Sequence, residues 1–353
     1  MILDIHMSQL SAYWDSLLEE VLGDAANTQE SPKNESSEES QTTTCETQID
    51  ELVRSCGDSK LVLVLGSGVS SNFGLATWKK LLNRLLLPDS IKHKLIADDP
   101  PSLDIQRLTD CLVSPIVIAR YCRYLDKESR FNEMVRMELY KKEDYAQDNA
   151  INWLSSIAEL CQSERVDSII TYNFDDMLEQ HFAGKNFKFT IYDGNNFKTK
   201  NSGLPIYHVH GFLQQHVAAT EETKIIFSEE DYHEQYHDPF SWNTLIQLDK
   251  YRSNSCLFIG TSLTDPNQRR LLELGKKHKI SDSVQHYVLR GRESLIVESQ
   301  IEDKGQIPSI KKYMERFYNK VDEDFGINTI WVDEFNEIPA ILNKITEKFT
   351  PSK

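Results

Sequence analysis

The chain has 353 residues, 39% hydrophobic and 10% aromatic, enough for one large or two ordinary domains with a buried core. Thirty-nine Lys and Arg against 55 Asp and Glu leave a formal charge of −16, a field that repels a phosphate backbone and argues against direct nucleic-acid binding as the primary role. No apolar run reaches the roughly 20 residues that span a bilayer, and Met1–Leu10 lacks the layout of a signal peptide, so a soluble cytoplasmic protein with no membrane partner is expected.

In chain order, Ser8–Gly23 reads as an amphipathic helix with Leu10, Trp14, Leu17, Leu18 and Val21 on one stripe. Residues 1–24 are assigned to it, and it is free to dock on the body or on another subunit. Residues 25–48 are rich in Ser, Thr, Glu, Gln and Asn and poor in large apolar residues. Such a composition buries too little surface to offset its ordering entropy, and it reads as a flexible linker. Residues 49–353 form the main domain. There, Leu61–Leu65, Val166–Thr171, Ile206–Val209, Cys256–Ile259, Val284–Leu289 and Asn328–Val332 are nearly continuous apolar runs, as expected of strands covered on both faces. Helical patterns at Trp78–Leu87, Ile151–Leu160 and Gln268–Lys279 alternate with them. This alternation predicts an α/β fold, a Rossmann-like, doubly wound parallel sheet of about six strands. The long stretch of about 88–164 reads as a helical insertion. The six cysteines are scattered without a C-x-x-C pair, so no zinc module or other metal is expected and buried core thiols are the simplest reading.

Four motifs follow predicted strands. Leu61–Leu65 runs into Gly66-Ser67-Gly68-Val69-Ser70 and then a helix, which places backbone N–H groups and a helix dipole where a phosphate binds. An ordinary tight turn is the competing reading, and the third glycine and acidic ribose ligand of a dehydrogenase fingerprint are missing. Thr171-Tyr172-Asn173-Phe174-Asp175-Asp176 puts an amide and a carboxylate two residues apart beyond a strand, suited to ribose hydroxyls or to helix capping. In Tyr207-His208-Val209-His210-Gly211, strand alternation puts both histidines on one side, with His210 at the strand end placed as a general base. A structural histidine is the competing reading, and a metal pair lacks a third ligand. Cys256–Ile259 leads into Gly260-Thr261-Ser262-Leu263-Thr264-Asp265-Pro266, another small hydroxyl-bearing turn before a helix.

The order of these motifs, Gly-x-Gly-Val-Ser, Thr-x-Asn-x-Asp, His-Gly and Gly-Thr-Ser-Leu, resembles the NAD-binding core of the sirtuin (silent information regulator) superfamily from about Ile49 to Phe349. The resemblance implies that Gly66, Ser67, Gly68, Val69 and Ser70 cradle the pyrophosphate, that Gly260, Thr261 and Ser262 line the dinucleotide, and that Arg290 approaches its adenosine end. It implies that Asn173 and Asp175 hold the nicotinamide-side ribose and that His210 is the catalytic histidine. Protein-deacylating sirtuins carry a zinc module with two Cys pairs and a Phe–Arg pair after the glycine turn. This chain has neither, with Gly74-Leu75-Ala76-Thr77-Trp78-Lys79 in place of the latter. Tyr172-Asn-Phe-Asp-Asp176, Phe227-Ser-Glu-Glu-Asp-Tyr232 and Gly260–Pro266 look instead like bacterial sirtuin-like domains of antiphage defence, some of which hydrolyse NAD. That likeness implies an NAD+ glycohydrolase, the effector of an abortive-infection system, with NAD as substrate. It also implies assembly into a homo-oligomer or with a HerA-type translocase ATPase. A zinc-free deacylase and a non-catalytic NAD or ADP-ribose sensor are the competing readings.

Overall fold

The computed structural model describes residues 37–57, 59–86, 114–125, 130–141, 148–194, 203–220, 223–296, 301 and 303–350. The chain divides into two compact units, Met1–Thr44 and Cys45–Lys353. The helix expected at Ser8–Gly23 lies outside the described residues. The first described element is helix α1 (Ser37–Cys56), so residues 37–48, read as linker from their composition, are helical. Ile49, Leu52 and Cys56, three and four apart, are buried in the core, and Gln48 Nε2 donates to the Thr329 carbonyl at 2.8 Å. That anchored second half is a nucleus from which a helix extends cheaply into a polar stretch.

The second unit continues with β1 (Leu61–Leu65), the short α2 (Ser67–Ser71), α3 (Trp78–Leu86), α4 (Pro115–Leu125), α5 (Phe131–Leu139), α6 (Asp148–Gln162) and β2 (Val166–Thr171). Next come α7 (Met177–Gly184), β3 (Phe189–Tyr192), β4 (Leu204–His208), α8 (Glu229–His237), α9 (Trp242–Ser253), β5 (Cys256–Ile259) and α10 (Pro266–Lys277). It closes with β6 (His286–Gly291), α11 (Ile307–Asp324), β7 (Ile327–Val332) and α12 (Ile338–Phe349). The strands form one sheet in the order β3-β4-β2-β1-β5-β6-β7, and every pair is parallel. The strand beyond the six expected is β3, a short edge strand with only Thr190 buried.

Both faces of the sheet are covered, which is why its strands read as unbroken apolar runs. Along β1, Leu61, Leu63 and Leu65 join a core with α1, α6 and α12, while Val62 and Val64 pack with Tyr251 of α9 and Leu271 and Leu272 of α10 on the other face. Helix α6 supplies Trp153, Leu154 and Ile157 to the first core and packs on α12. It is therefore the layer helix feeding β2 rather than part of an insertion. Helices α3, α4 and α5 form a separate module around Phe174, Leu213, Ile225 and Phe227, with Trp78 and Phe131 edge-on to Phe227 at 4.4 and 5.3 Å between ring centroids.

The chain order reverses at β1. From β1 the sheet grows through β2, β4 and β3, and then restarts on its other flank with β5, β6 and β7. In an open parallel sheet, the crevice for ligands opens where such a reversal separates neighbouring loops. Here the loops beyond β1, β5, β2 and β4 converge on one edge.

Candidate active site

The turns beyond β1 and β5 leave the sheet side by side, and their backbones touch. Gly66 N–H donates to Ile259 O at 3.0 Å, Gly68 N–H to Gly260 O at 2.8 Å, and Val69 N–H to Gly66 O at 3.0 Å. A Cβ on Gly68 would lie 2.8 Å from Gly260 Cα and O, and one on Gly260 would lie 2.6 Å from Val69 N. Gly260 also takes φ +65°, a region open to glycine at little cost. This corrects the expectation of free amides awaiting a phosphate. Those of Gly66 and Gly68 join the two turns, because β1 and β5 are neighbours in the sheet, and that of Val69 closes its own turn onto Gly66. Ser67, Ser262 and Thr264 carry exposed hydroxyls at this edge, with Ser262 Oγ 2.7 Å from Thr264 Oγ1. Thr261 Oγ1 accepts from Leu263 N–H and so shapes its own turn.

The loop after β2 is tied to the same turn. Asn173 Nδ2 donates to Gly66 O and to Ser70 Oγ, both at 3.0 Å, which fixes the orientation of its amide. Its Oδ1 has no hydrogen bond among the described residues, so one acceptor is left for a water or a ribose hydroxyl. Asp175 is buried and accepts from Met177 N–H at 3.2 Å. Burial pushes its carboxyl up to about 6, against the pull of the Ser70 hydroxyl and the Met177 amide and with help from Glu179. The next carboxylate, Asp176, is structural. Its Oδ1 accepts from the Tyr140 hydroxyl, at the end of α5, at 2.8 Å and from Gln180 Nε2, and its Oδ2 accepts from Gln215 N–H.

The two histidines of the third motif part company. Strand β4 ends at His208, so the alternation that would place His210 beside it does not continue. His208 Nδ1 meets Asn173 O at 3.1 Å and Nε2 meets Glu179 Oε1 at 2.8 Å. With Asn173, Asp175 and Ser70 it lines a void of about 10 Å³ behind the glycine turn, about one water in size. Burial alone would lower its pKa, but the Glu179 carboxylate and the Asn173 carbonyl outweigh it and the pKa is raised. His210 lines a different, open cavity of about 930 Å³, with Asp193, Asn132, Trp242 and Asn243 also on its wall.

Burial lowers the His210 pKa, against the partial support of Asp265 and Asp231. Its Nε2 is buried without a hydrogen bond and lies 3.6 Å from Asp265 Oδ2. Tyr172 and Tyr232 pack edge-on to the ring, with centroids 4.8 and 5.9 Å away. Asp265 caps α10 by accepting from Gln268 N–H at 2.7 Å, and its Oδ2 accepts from the Tyr232 hydroxyl. Tyr232 is aimed by a capping box at the start of α8, where Asp231 accepts from Ser228 N–H at 2.7 Å and from Arg123 Nη1 at 2.6 Å. Neither Asp265 nor Tyr232 stood among the residues assigned from sequence. An Asp before a Pro at a helix start reads as a cap, and only the fold shows that the same carboxylate faces the histidine.

Arg290 is placed otherwise than expected. It lies within β6, and its guanidinium grips buried Asp322 through Nε and Nη2, both at 2.7 Å, over the Tyr318 ring. Thr329 Oγ1 donates to the same carboxylate. A donor fork committed in this way holds α11 to the sheet rather than reaching an adenosine. The buried thiols are inert by environment: burial pushes Cys56 up to about 11 and Cys122 up to about 12, and raises Cys161 and Cys256. Cys111 lies outside the described residues. Among the described residues no group of His, Cys, Asp or Glu side chains could hold a metal ion, and no helix is long and apolar enough to cross a membrane.

Residues 167–313 match the family model described as a SIR2-like domain, a span that holds the second, third and fourth motifs. The sirtuin-like resemblance of the motifs is thus shown across that stretch. The chain is 27% identical over 305 residues to an NAD(+) hydrolase ThsA of Acinetobacter baumannii (strain 532279), covering 85% of this chain and 56% of that protein. It is 24% identical over 301 residues to an NAD(+) hydrolase ThsA of Bacillus cereus (strain MSX-D12), covering 82% and 54%. The chain spans a little over half the length of these relatives. Among solved structures, the crystal structure of a SIR2 homologue–NAD complex aligns at 10% identity over 86% of this chain and 94% of that one, with a TM-score of 0.38.

Proposed function

We propose that this chain hydrolyses the N-glycosidic bond of NAD+, releasing nicotinamide and ADP-ribose. The observation that carries the reading is His210: a buried imidazole, biased to its neutral form, on the wall of an open cavity of about 930 Å³. A neutral imidazole in a cleft is the group that accepts a proton near neutral pH. The names of the two ThsA relatives support the same chemistry.

In this reading nicotinamide departs as a neutral group and positive charge develops on the ribose. Asn173, its NH2 held by Gly66 and Ser70, offers Oδ1 to orient the attacking water or a ribose hydroxyl. Asp175, buried two residues on behind the glycine turn, stabilises the developing charge through space when ionised. His210 accepts the proton of the water or the ribose hydroxyl. Ser67 and Ser262 are the exposed hydroxyls proposed to meet the dinucleotide, whose negative charge is bound by local donors against a net field of −16. The likeness of the motifs to antiphage domains supports placing this activity in a defence system in the cytoplasm, restrained until self-assembly or a HerA-type ATPase partner releases it.

Incubation of the purified chain with NAD+, with and without acetylated peptide, tests the reaction class. Nicotinamide release that does not depend on peptide is the expected result. Release only with peptide would make the chain a deacylase, and tight NAD+ binding without product over hours would make it a sensor.

A further inference from the structure

Among the described residues, several buried polar side-chain atoms lack a hydrogen bond, and one of them belongs to the proposed base. His210 Nε2 is sealed from solvent yet has no hydrogen bond, whereas buried polar atoms are nearly always partnered. The atom that faces it is the carboxylate of Asp265, at 3.6 Å. That carboxylate is itself held from two sides, by the Gln268 amide on Oδ1 and by the Tyr232 hydroxyl on Oδ2. His210 is held too. Ile226 N–H donates to its carbonyl at 2.7 Å, and Gly211 at φ +101° lets the Lys224–Ile225 backbone pass where a Cβ would meet Lys224 O at 2.2 Å. The His210 backbone and the Asp265 carboxylate are therefore held with Nε2 and Oδ2 3.6 Å apart, beyond hydrogen-bond length, a gap that a small turn of the ring closes when a catalytic complex forms.

The geometry points to Asp265 as a positioning residue that engages the Nε2–H of His210, and so leaves Nδ1 as the nitrogen that accepts the substrate's proton. This rests on the reading of His210 as the base of NAD+ cleavage. In the reaction the proton leaves the water or ribose oxygen for Nδ1, the imidazole becomes an imidazolium, and its Nε2–H closes on Asp265 Oδ2. No proton passes to Asp265. Tyr232 donates to the same oxygen and keeps the carboxylate turned towards the ring. The groups that face His210 are few: Asp265 before α10, Asp231 and Tyr232 of α8, and Tyr172 beyond β2. Asp231 is already neutralised by the Arg123 cation, whereas Asp265 is held by neutral donors, which leaves Asp265 as the carboxylate able to answer the new charge.

Asp265 also caps a helix, so the test must separate the two roles. Asn and Ser are as good as Asp at an N-cap, and Asp265→Asn and Asp265→Ser should both keep α10. The imidazole titration of His210 is followed by NMR in the full chain, with its signal assigned by its loss in His210→Ala, beside steady-state nicotinamide release. The titration midpoint should fall by about one pH unit in both variants. For the same variants kcat should fall on the order of 10²-fold with KM within about twofold. A folded variant with an unmoved midpoint, or a lowered midpoint with unchanged kcat, would overturn the assignment. If the wild type releases no nicotinamide, the proposed reaction fails, while the titration still decides whether Asp265 answers the charge on His210.

Discussion

His208 Nε2 lies 2.8 Å from Glu179 Oε1, both side chains buried, and its other ring nitrogen bears on the carbonyl of Asn173 at 3.1 Å. A pair between α7 and β4 thus props the loop that carries the amide proposed to orient water. Removing one partner of a buried pair leaves the other unanswered, and Glu179→Ala should cost about 3–5 kcal/mol in urea unfolding. Because the His208 pKa is raised above 6.5 in the fold, its contribution to stability is complete below pH 6.5 and is lost as pH rises through the folded value. Glu179→Gln should remove that pH dependence. Unfolding midpoints that track the wild type from pH 5 to 9 would show that the pair does not matter.

Asp175 carries the opposite design, a carboxylate strained by its site. Its pKa rises from 3.8 to about 6 in the fold, so the native state holds an extra proton between those values and stability falls as pH rises through them. Above that window the cost approaches about 3 kcal/mol. Asp175→Asn should therefore be more stable than wild type at pH 7.5, lose the advantage below about pH 4, and release nicotinamide far more slowly. Thermal melts at the two pH values, beside the activity assay, decide it. Equal melting at pH 7.5 would mean the carboxylate is not strained.

How much of this was legible beforehand follows burial. Strands covered on both faces announce themselves, and β1, β2, β5 and β7 lie close to where their apolar runs place them. β3 did not: Phe189-Thr190-Ile191-Tyr192 has strand-forming residues, but the segment is short and lies at the sheet edge, with only Thr190 buried. The helix over residues 37–48 was hidden because its anchor, Ile49 and Leu52, lies beyond the polar stretch it supports. At the site, motif order brought Gly66, Ser70, Asn173 and Asp175 together correctly. Sequence could not tell that His208 and His210 serve different cavities, since that depends on where β4 stops. Nor could it tell that Asp265 caps a helix and faces a histidine at once.

The contact between the two turns can be tested by one methyl group. Gly68→Ala puts a Cβ 2.8 Å from Gly260 backbone atoms that have no rotamer to escape into, and should cost about 1–3 kcal/mol. Gly184→Ala, where nothing lies within 4 Å, should stay within about 0.5 kcal/mol of wild type. Equal melting temperatures for the two variants would show that the turns do not pack as described.

Arg290 separates a structural from a ligand-binding arginine. Arg290→Ala strands buried Asp322 and should destabilise by about 3–5 kcal/mol, while the folded protein keeps its KM for NAD+. A raised KM with unchanged stability would restore the adenosine role implied by the resemblance.

The most direct measurement of the central claim is the time course of nicotinamide release from NAD+, without any peptide, by the purified chain and by Asn173→Ala and His210→Ala, each checked for folding by circular dichroism. Steady release by the wild type and loss of at least about 10²-fold in each folded variant are the expected results. Full turnover by either folded variant would contradict the claim.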